Sequence, residues 1–415
     1  MLLLYRILTN LIIFISPLII IYRLIKKKEN LVRFKEKFCF FTRKRGPGKL
    51  IWFHGSSVGE IISVIPLIEK LENEKSIKKI LLTSSTLSSS NIIKKFKFKK
   101  TIHQFFPIDG NYFSRKFLEY WKPSAVFFIE SEIWPNFILN IKKNNIPLIL
   151  LNARITKKTY KRWKKISKFS QIIFSSFDIA LVQNNETKRY LNLLGLKKMK
   201  FLGNLKFSET KNKTNKIYKR NLKSFFKSKK IWCASSTHYD EELQCVKVHK
   251  KLKKNFKNLL TVIIPRHINR VESIINEIKS LDLNVHVHSS KNKIQNNTEI
   301  YLVDTYGETE NFFRFCKTVF LGGSLIKHGG QNPLEPARQG CKILHGPNID
   351  NFKEIYNLLD KYKISTKVIN SNKLLSSLRI ILKKNVSSEK LINKLRKLGD
   401  KILFLSLIEI KKYLK

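Results

Sequence analysis

The segment Gly322–Gly340 (GGSLIKHGGQNPLEPARQG) carries the clearest chemical pattern in the chain. Two glycine pairs, Gly322–Gly323 and Gly329–Gly330, follow the apolar run Thr318–Leu321, and Asn332–Glu335 comes next. Glycines after a buried strand let the backbone approach a ligand, and a helix beginning at the proline of the last segment points N–H groups at it. The glutamate in that first turn can accept hydrogen bonds from ribose hydroxyls. The segment predicts a nucleotide-sugar site at the carboxyl edge of a parallel sheet. A tight turn and a capped helix without ligand is the simpler alternative.

Glu60 is the strongest candidate for acid–base chemistry in the first half of the chain. It ends the stretch HGSSVGE, directly after the predicted strand Leu50–His54, where a helix begins. A carboxylate at that position can take a proton from a hydroxyl nucleophile if the site excludes enough water. It can equally be a helix N-terminal charge that the helix dipole favours. The residues themselves leave both interpretations open.

Glu130 and Glu132 flank Ser131 in a second acidic segment, ESEIWPN, which follows the predicted strand Ala125–Glu130. An acid at a strand end, followed by a proline-fixed turn, suits substrate positioning, and helix capping is the alternative. Lys206, in GNLKF, is one of many lysines, and its residue type alone indicates a solvated charge.

Further polar residues in the second half of the chain follow predicted strands. An arginine at such a strand end can hold a phosphate. Each group taken alone indicates an ordinary strand-to-helix turn, but together with Asn332 and Glu335 they would lie at one edge of one sheet. These groups are Ser235–His238, Arg266 with His267 and Arg270, and Asp304–Glu308, which contains Tyr306 and Gly307.

The elements that must position these residues alternate between short apolar strands and amphipathic helices. This alternation predicts parallel, doubly wound α/β domains. There is no Gly-x-Gly-x-x-Gly after the first strand and no Gly-Lys-Ser/Thr loop, which argues against dinucleotide and P-loop sites. We predict an anchor at residues 1–28, an α/β domain at 29–207, a linker at 208–228, a second α/β domain at 229–386 and a C-terminal helix at 387–415. The predicted strands are Leu50–His54, Lys79–Ser84, Ala125–Glu130, Pro147–Asn152, Ile179–Gln183, Lys230–Ala234, Leu259–Pro265, Val285–Ser289, Glu299–Val303, Thr318–Leu321 and Lys342–His345.

The N-terminal segment Leu2–Ile25 is apolar and reaches the length of a membrane span. Its main positive charge, Lys26–Lys28, follows the apolar run, whereas a secretory signal would carry its charge before it. Because positive residues stay in the cytoplasm, we expect a single-pass or monotopic anchor with the body of the protein on the cytoplasmic side. A buried first helix is the alternative.

Composition narrows the class of protein further. The chain has 415 residues, 43% of them hydrophobic, which suits two folded domains. Its formal net charge of +51 indicates anionic partners, although lysine, isoleucine and asparagine also have A/T-rich codons, which accounts for part of the excess. Neither RNA-binding aromatic motifs nor arginine-rich helices accompany the charge, so nucleic acid is not an expected partner. Five cysteines without CxxC spacing indicate neither a disulfide framework nor a zinc site.

Eight motifs together resemble the 3-deoxy-D-manno-octulosonic acid (Kdo) transferases of Gram-negative bacteria, in the order of that family. They are WFHGSSVGE, ESEIWPN, NARIT, GNLKF, SSTH, IPRH, DTYGE and GGSLIKHGGQNPLEP. The resemblance implies a GT-B glycosyltransferase, with two Rossmann-like domains facing a cleft. It also implies transfer of Kdo from the donor CMP-Kdo to the lipid A precursor at the inner membrane, without a metal or other cofactor.

The resemblance also implies roles for particular residues. Glu60 matches the catalytic base, and Glu130 and Lys206 match positions that support the transition state. The positions matching the CMP site are Arg266, His267, Tyr306, Gly307, Glu308, Asn332, Pro333, Leu334 and Glu335. The chain departs from the family at Gln331, where a histidine is usual, at Tyr306, where a methionine is usual, and in the serine-rich loop Thr83–Ser90. A GT-B transferase for a UDP-sugar, and a membrane-surface protein without catalysis, are the competing hypotheses.

Overall fold

The computed structural model describes residues 1–208, 220–384 and 388–414. The chain forms two compact units, Met1–Lys213 with Lys397–Lys415, and Thr214–Arg396. Each unit contains one seven-stranded sheet whose pairings are all parallel. The predicted fold class, two Rossmann-like α/β domains preceded by an apolar helix, is confirmed.

The sheet of the first unit has the strand order β3-β2-β1-β4-β5-β6-β7. Its strands are β1 (Leu50–His54), β2 (Lys79–Ser84), β3 (Thr101–Phe105), β4 (Ala125–Ile129), β5 (Leu148–Ala153), β6 (Ile179–Val182) and β7 (Met199–Phe201). Its helices up to residue 208 are α1 (Leu2–Ile25), α2 (Val58–Leu71), α3 (Leu87–Ile93), α4 (Asn111–Trp121), α5 (Pro135–Lys143), α6 (Lys157–Lys164), α7 (Ser167–Ser175) and α8 (Asn185–Leu193). Short 3₁₀ helices cover Phe34–Phe38 and Leu205–Phe207.

The sheet of the second unit has the order β10-β11-β9-β8-β12-β13-β14. Its strands are β8 (Lys230–Thr237), β9 (Leu259–Pro265), β10 (Val285–Val287), β11 (Ile300–Leu302), β12 (Thr318–Leu321), β13 (Lys342–His345) and β14 (Ser365–Lys367). The helices from residue 220 onwards are α9 (Arg220–Lys227), α10 (Glu241–Lys253), α11 (Val271–Lys279), α12 (Thr309–Phe313), α13 (Leu334–Arg338), α14 (Lys353–Lys361), α15 (Ser371–Lys383) and α16 (Ser388–Lys411). A 3₁₀ turn, Ile268–Arg270, precedes α11.

All eleven predicted strands are present, and three further strands were missed. The missed strands β3, β7 and β14 each lie at the edge of a sheet. Edge strands are partly exposed and need no continuous apolar run, as the sequences Met199–Phe201 (MKF) and Ser365–Lys367 (STK) illustrate. The predicted linker at 208–228 stays a prediction: residues 209–219 lie outside the described part of the chain, and α9 covers Arg220–Lys227.

The core of the first unit explains why its central strands are apolar at every position. β1 and β4 are completely buried, because helices cover both faces of a parallel sheet. The aromatic rings of Trp52, Phe106, Phe117 and Phe137 pack against one another, with centroids 4.7–6.1 Å apart. This packing fixes the ends of β1 and β4, from which the candidate site is built.

Candidate active site

The parallel pairing of β1 with β4 brings the acidic residues of the first unit together. His54, the last residue of β1, lies opposite Phe128 of β4, so the loops after the two strands start side by side. Glu60 belongs to the first turn of α2, which follows β1, and Glu130 directly follows β4. Three carboxyl groups, those of Glu60, Glu130 and Glu132, therefore lie near one another.

Glu60 is held at the N-terminus of α2 by a reciprocal capping box. Its Oε2 accepts hydrogen bonds from the backbone N–H groups of Ser56 (2.7 Å) and Ser57 (3.3 Å), while Ser57 Oγ accepts from the Glu60 N–H. Burial raises the pKa of Glu60 to about 7, and the negative charges of Glu132 and Glu130 act in the same direction. The capping hydrogen bonds only partly offset this rise. Helix capping and a base-like pKa, which the sequence offered as alternatives, thus coexist.

Glu132 is kept ionised by a set of three donors. His54 Nε2 lies 2.9 Å from Glu132 Oε2, and the same oxygen accepts from Ser56 Oγ (2.6 Å) and Trp134 Nε1 (2.7 Å). Burial opposes ionisation, but the hydrogen bonds from these donors outweigh it and lower the pKa of Glu132 below its ordinary value. Ser56 therefore links Glu132, through its hydroxyl, to Glu60, through its N–H.

The serine-rich loop Thr83–Ser90 supports this arrangement. Thr83 Oγ1 lies 3.0 Å from His54 Nδ1 and accepts a hydrogen bond from Trp52 Nε1. The hydroxyl of Ser85 contacts that of Ser56 at 3.1 Å, and Ser89 Oγ donates to the Ser56 carbonyl. The loop therefore fixes His54 and Ser56 from the side opposite Glu132.

Glu130 and Lys206 form a close ion pair, with Lys206 Nζ 2.6 Å from Glu130 Oε1. Glu130 is buried and has a φ of 57°, a left-handed conformation that costs about 1–3 kcal/mol in a non-glycine residue. Lys206 lies in the 3₁₀ turn Leu205–Phe207, whose first N–H is bonded to Asn152 Oδ1. Backbone strain at a buried acid is typical of functional sites rather than of simple capping.

A cluster of imidazole and guanidinium groups lies at the carboxyl ends of β8 and β9 in the second unit. The ring of buried His238 lies 4.0 Å from that of His328 and 5.7 Å from that of His267. Burial, together with His328, His267, Arg266 and Arg270, lowers the pKa of His238 to about 4. His238 offers hydrogen bonds to an anion, and the guanidinium groups of Arg266 and Arg270 add positive potential, with Arg270 also paired with Glu242 at 3.0 Å. In the described part of the chain, no group of three or more His, Cys, Asp or Glu residues could hold a metal ion.

The glycine-rich loop after β12 is held by one buried carboxylate, that of Glu241. Its two oxygens accept hydrogen bonds from the N–H groups of His238 (3.1 Å), Gly323 (2.6 Å), Ser324 (3.1 Å) and Leu325 (3.0 Å). A Cβ at Gly322 would lie 2.5 Å from Thr237 Cα, so glycine is required there for packing on the end of β8. Packing alone therefore accounts for the glycine at position 322, and its role in ligand approach stays a prediction.

The other predicted CMP-site residues surround the same edge of the sheet. α13 begins one residue after Pro333, close to the predicted start, but it has five residues and its Leu334 N–H is bonded to Asn332 Oδ1. Fewer backbone N–H groups at the start of α13 are therefore available to a ligand than the sequence predicted. Glu335 in its first turn has Arg338, Glu310 and Arg266 as charged neighbours.

Tyr306 and Glu308 lie in the loop after β11, on either side of Gly307. Tyr306 is 67% exposed, and the φ of Gly307 is 82°, a conformation that suits glycine. Glu308 Oε2 lies 3.1 Å from His288 Nε2, so its carboxylate is paired within the second unit.

Sequence reasoning missed three parts of these sites: His54 and Ser56 as partners of Glu132, and Glu241 as the support of the glycine loop. His54 and Ser56 lie in the motif that was quoted for Glu60. Glu241 follows SSTH by three residues, but His238 stands where a capping box needs serine or threonine, so that motif gave no signal.

Comparison with known proteins identifies the family. Residues 32–209, which include Glu60, Glu130 and Lys206, match the family model described as 3-deoxy-D-manno-octulosonic-acid transferase (kdotransferase). The chain is 33% identical to the 3-deoxy-D-manno-octulosonic acid transferase of Rickettsia bellii over 93% of this chain and 92% of the relative. It belongs to the Kdo transferase family. The enzyme of that name from Haemophilus influenzae is 30% identical over 85% of this chain and 84% of its own length.

This Kdo transferase also shares its fold with a nucleotide-sugar enzyme of known structure. The UDP-GlcNAc 2-epimerase of Neisseria meningitidis, solved with UDP-GlcNAc bound, superposes with a TM-score of 0.59 over 88% of this chain and 99% of the epimerase, at 14% identity. The similarity shows the GT-B architecture alone. The family makes this protein a glycosyltransferase that uses a nucleotide-sugar donor.

We predict that Glu241→Gln loosens the glycine loop. The amide nitrogen of glutamine would face backbone donors in place of an acceptor, and hydrogen bonds to charged groups contribute about 1.5–3 kcal/mol. Amide hydrogen exchange at Gly323–Leu325 should therefore accelerate by about 10–100-fold. The exposed control Glu272→Gln should leave these rates unchanged. Unaltered exchange in Glu241→Gln would contradict the assignment.

Proposed function

We propose that this Kdo transferase moves Kdo from CMP-Kdo to a hydroxyl of the lipid A precursor, a tetraacyldisaccharide 1,4'-bisphosphate, with Glu60 as general base. The observation that carries the proposal is the half-buried Glu60 carboxyl with a pKa raised to about 7, at a strand end beside two other carboxyl groups. A base with a pKa near the working pH combines a large deprotonated fraction with useful proton affinity.

In the proposed reaction, Glu60 takes the proton of the acceptor hydroxyl as its oxygen bonds to the anomeric carbon of Kdo. The bond from that carbon to the phosphate oxygen breaks, and CMP leaves with the electron pair. Glu132 stays ionised through His54, Ser56 and Trp134, and its charge helps to keep the pKa of Glu60 high. In this proposal Glu60 gains and loses the proton, and the charge of Glu132 raises the pKa of Glu60.

Lys206 and Glu130 are proposed to support the transition state. The ion pair of 2.6 Å holds the ammonium group near the acidic cluster, where a cation can interact with a Kdo carboxylate or an acceptor phosphate. Glu130 is itself buried and in a left-handed conformation, and its carboxylate holds the ammonium group of Lys206 at this position.

The second unit is proposed to hold CMP without a metal. Arg266 would contact the phosphate, and Glu335 would accept hydrogen bonds from the ribose. His267, Gly307, Glu308 and Asn332–Leu334 would line the site, and exposed Tyr306 would pack on the base. The guanidinium group of Arg266 near His238 supports this, because a protein cation can neutralise a monophosphate in place of a divalent ion.

The N-terminal helix is proposed to place the enzyme on the cytoplasmic face of the inner membrane. α1 is the one helix in the described residues that is long and apolar enough to cross a membrane, and most of its apolar side chains are exposed. Lys26–Lys28 follow it and would face anionic head groups. An acceptor whose acyl chains remain in the bilayer is consistent with this location.

We predict that Glu60→Gln lowers turnover by about 10²–10⁴-fold, the range for loss of a general base. The measurement is CMP release with detergent-dispersed acceptor. The exposed control Glu119→Gln should be fully active, and an unchanged circular dichroism spectrum and Tm in Glu60→Gln would exclude misfolding of the first unit. Retention of more than about a third of wild-type turnover would disprove the base assignment.

We also predict that CMP binding depends on Arg266 and Glu335 and is insensitive to EDTA. Arg266→Ala removes a charge-assisted contact and should weaken binding by about 10–100-fold in calorimetric titration, with Glu335→Gln weaker than wild type. Arg379→Ala, an exposed change in α15, should bind CMP normally. The proposal fails if EDTA abolishes binding and Mg²⁺ restores it, or if Arg266→Ala binds like wild type.

A further inference from the structure

α1 packs along the first unit with one face. Its buried and half-buried side chains recur every three or four residues, and the remaining positions are largely exposed. Tyr5 packs against the core of the unit, and Ile13 lies so close to Gly110 that a Cβ there would approach Ile13 Cδ1 to 2.5 Å. The face consists of Leu2, Tyr5, Arg6, Thr9, Ile13, Ser16, Ile20, Arg23 and Leu24.

A buried carboxyl group, that of Asp109, joins α1 to the start of α5. Asp109 Oδ2 accepts hydrogen bonds from the hydroxyl of Tyr5 (2.6 Å) and the N–H of Asn136 (3.1 Å), and Oδ1 accepts from the N–H of Phe137 (3.0 Å). The Asn136 side chain donates to the Asp109 carbonyl at 2.7 Å and accepts from Arg6 Nε at 3.2 Å. Asp109 and Asn136 are therefore hydrogen-bonded both to α1 and to each other at the start of α5.

The first turn of α5 depends on this carboxyl group. Its N-cap residue, Trp134, provides no side-chain cap, and Pro135 has no N–H, so Asp109 accepts from the next two N–H groups. Trp134 donates its indole N–H to Glu132, which bonds to Ser56, which in turn bonds to Glu60. A continuous series of hydrogen bonds and short backbone segments thus runs from α1 to the proposed base.

We propose that Asp109 is a positioning residue through which α1 holds the turn Glu130–Asn136 in register for catalysis. In this proposal, which rests on the assignment of Glu60 as base, the N-terminal helix is part of the framework of the active site as well as a membrane contact. Loss of the Tyr5 hydroxyl lowers turnover even when no bilayer is present.

The test compares Tyr5→Phe with Tyr22→Phe, a matched change on the exposed face of the same helix. Tyr5→Phe keeps the ring in the core and removes only the donor to Asp109. With detergent-dispersed tetraacyldisaccharide bisphosphate, we expect its kcat to fall about tenfold, since displacements of about 1 Å can cost about 100-fold in rate. The KM for CMP-Kdo should not change. Exchange of the Asn136 and Phe137 amides should accelerate in Tyr5→Phe and stay at the wild-type rate in Tyr22→Phe.

Each other outcome overturns the proposal. Wild-type kcat in Tyr5→Phe, with or without faster exchange, would make the contact merely structural. A lower kcat with unchanged exchange would exclude a route through Asp109 and α5, as would an equal loss in Tyr22→Phe.

Asp109→Asn, measured by exchange alone, tests the same link independently of activity. If Glu60→Gln is active in the parallel assay, the base assignment fails, whereas the exchange data still decide whether Tyr5 orders the turn.

Discussion

Three carboxyl groups at the ends of β1 and β4 lie close together in a partly buried site, and they are unequally compensated. Glu130 is paired with the ammonium group of Lys206, and Glu132 accepts hydrogen bonds from three side-chain donors. Glu60 accepts hydrogen bonds from two backbone N–H groups. Burial and the charges of the other two acids therefore raise the pKa of Glu60. The proposed mechanism depends on this imbalance, because it gives one carboxyl of the three the proton affinity of a base.

The fold imposes this proximity. In a parallel sheet the carboxyl ends of adjacent strands meet at one edge, and the order β2-β1-β4 places the serine-rich loop, the Glu60 segment and the Glu130–Glu132 segment next to one another. The second unit applies the same rule: β9, β8 and β12 are neighbours, so Arg266, His238 and the glycine loop meet at one edge. There a single carboxylate, that of Glu241, bonds to four backbone N–H groups and so determines the shape of the loop.

The sequence allowed prediction of the central strands and of the residues that follow them, because buried parallel strands are continuously apolar and polar side chains stand out after them. It did not reveal β3, β7 and β14, whose edge positions relax that pattern. The sequence also did not distinguish helix capping from catalysis at Glu60, since both roles use the same position. The pKa of Glu60 is raised by burial and by neighbouring charges, which depend on the fold. The pairing of His54 with Glu132 joins residues 78 positions apart and depends on strand order. The composition of α1 indicated an anchor. The helix face that packs on the first unit, which includes Tyr5, Thr9, Ser16 and Ile20, could be recognised only once the surface that it contacts was known.

The pH dependence of turnover in wild type and Glu132→Gln tests the central claim most directly. If Glu60 must be deprotonated, the wild-type rate falls about tenfold per pH unit below its pKa of about 7 and levels off above it. Removing the negative charge of Glu132 makes ionisation of Glu60 easier, so the midpoint should move to lower pH in Glu132→Gln, whatever its maximal rate. A wild-type profile that is flat between about pH 5 and 8, or the same midpoint in both proteins, would contradict the account.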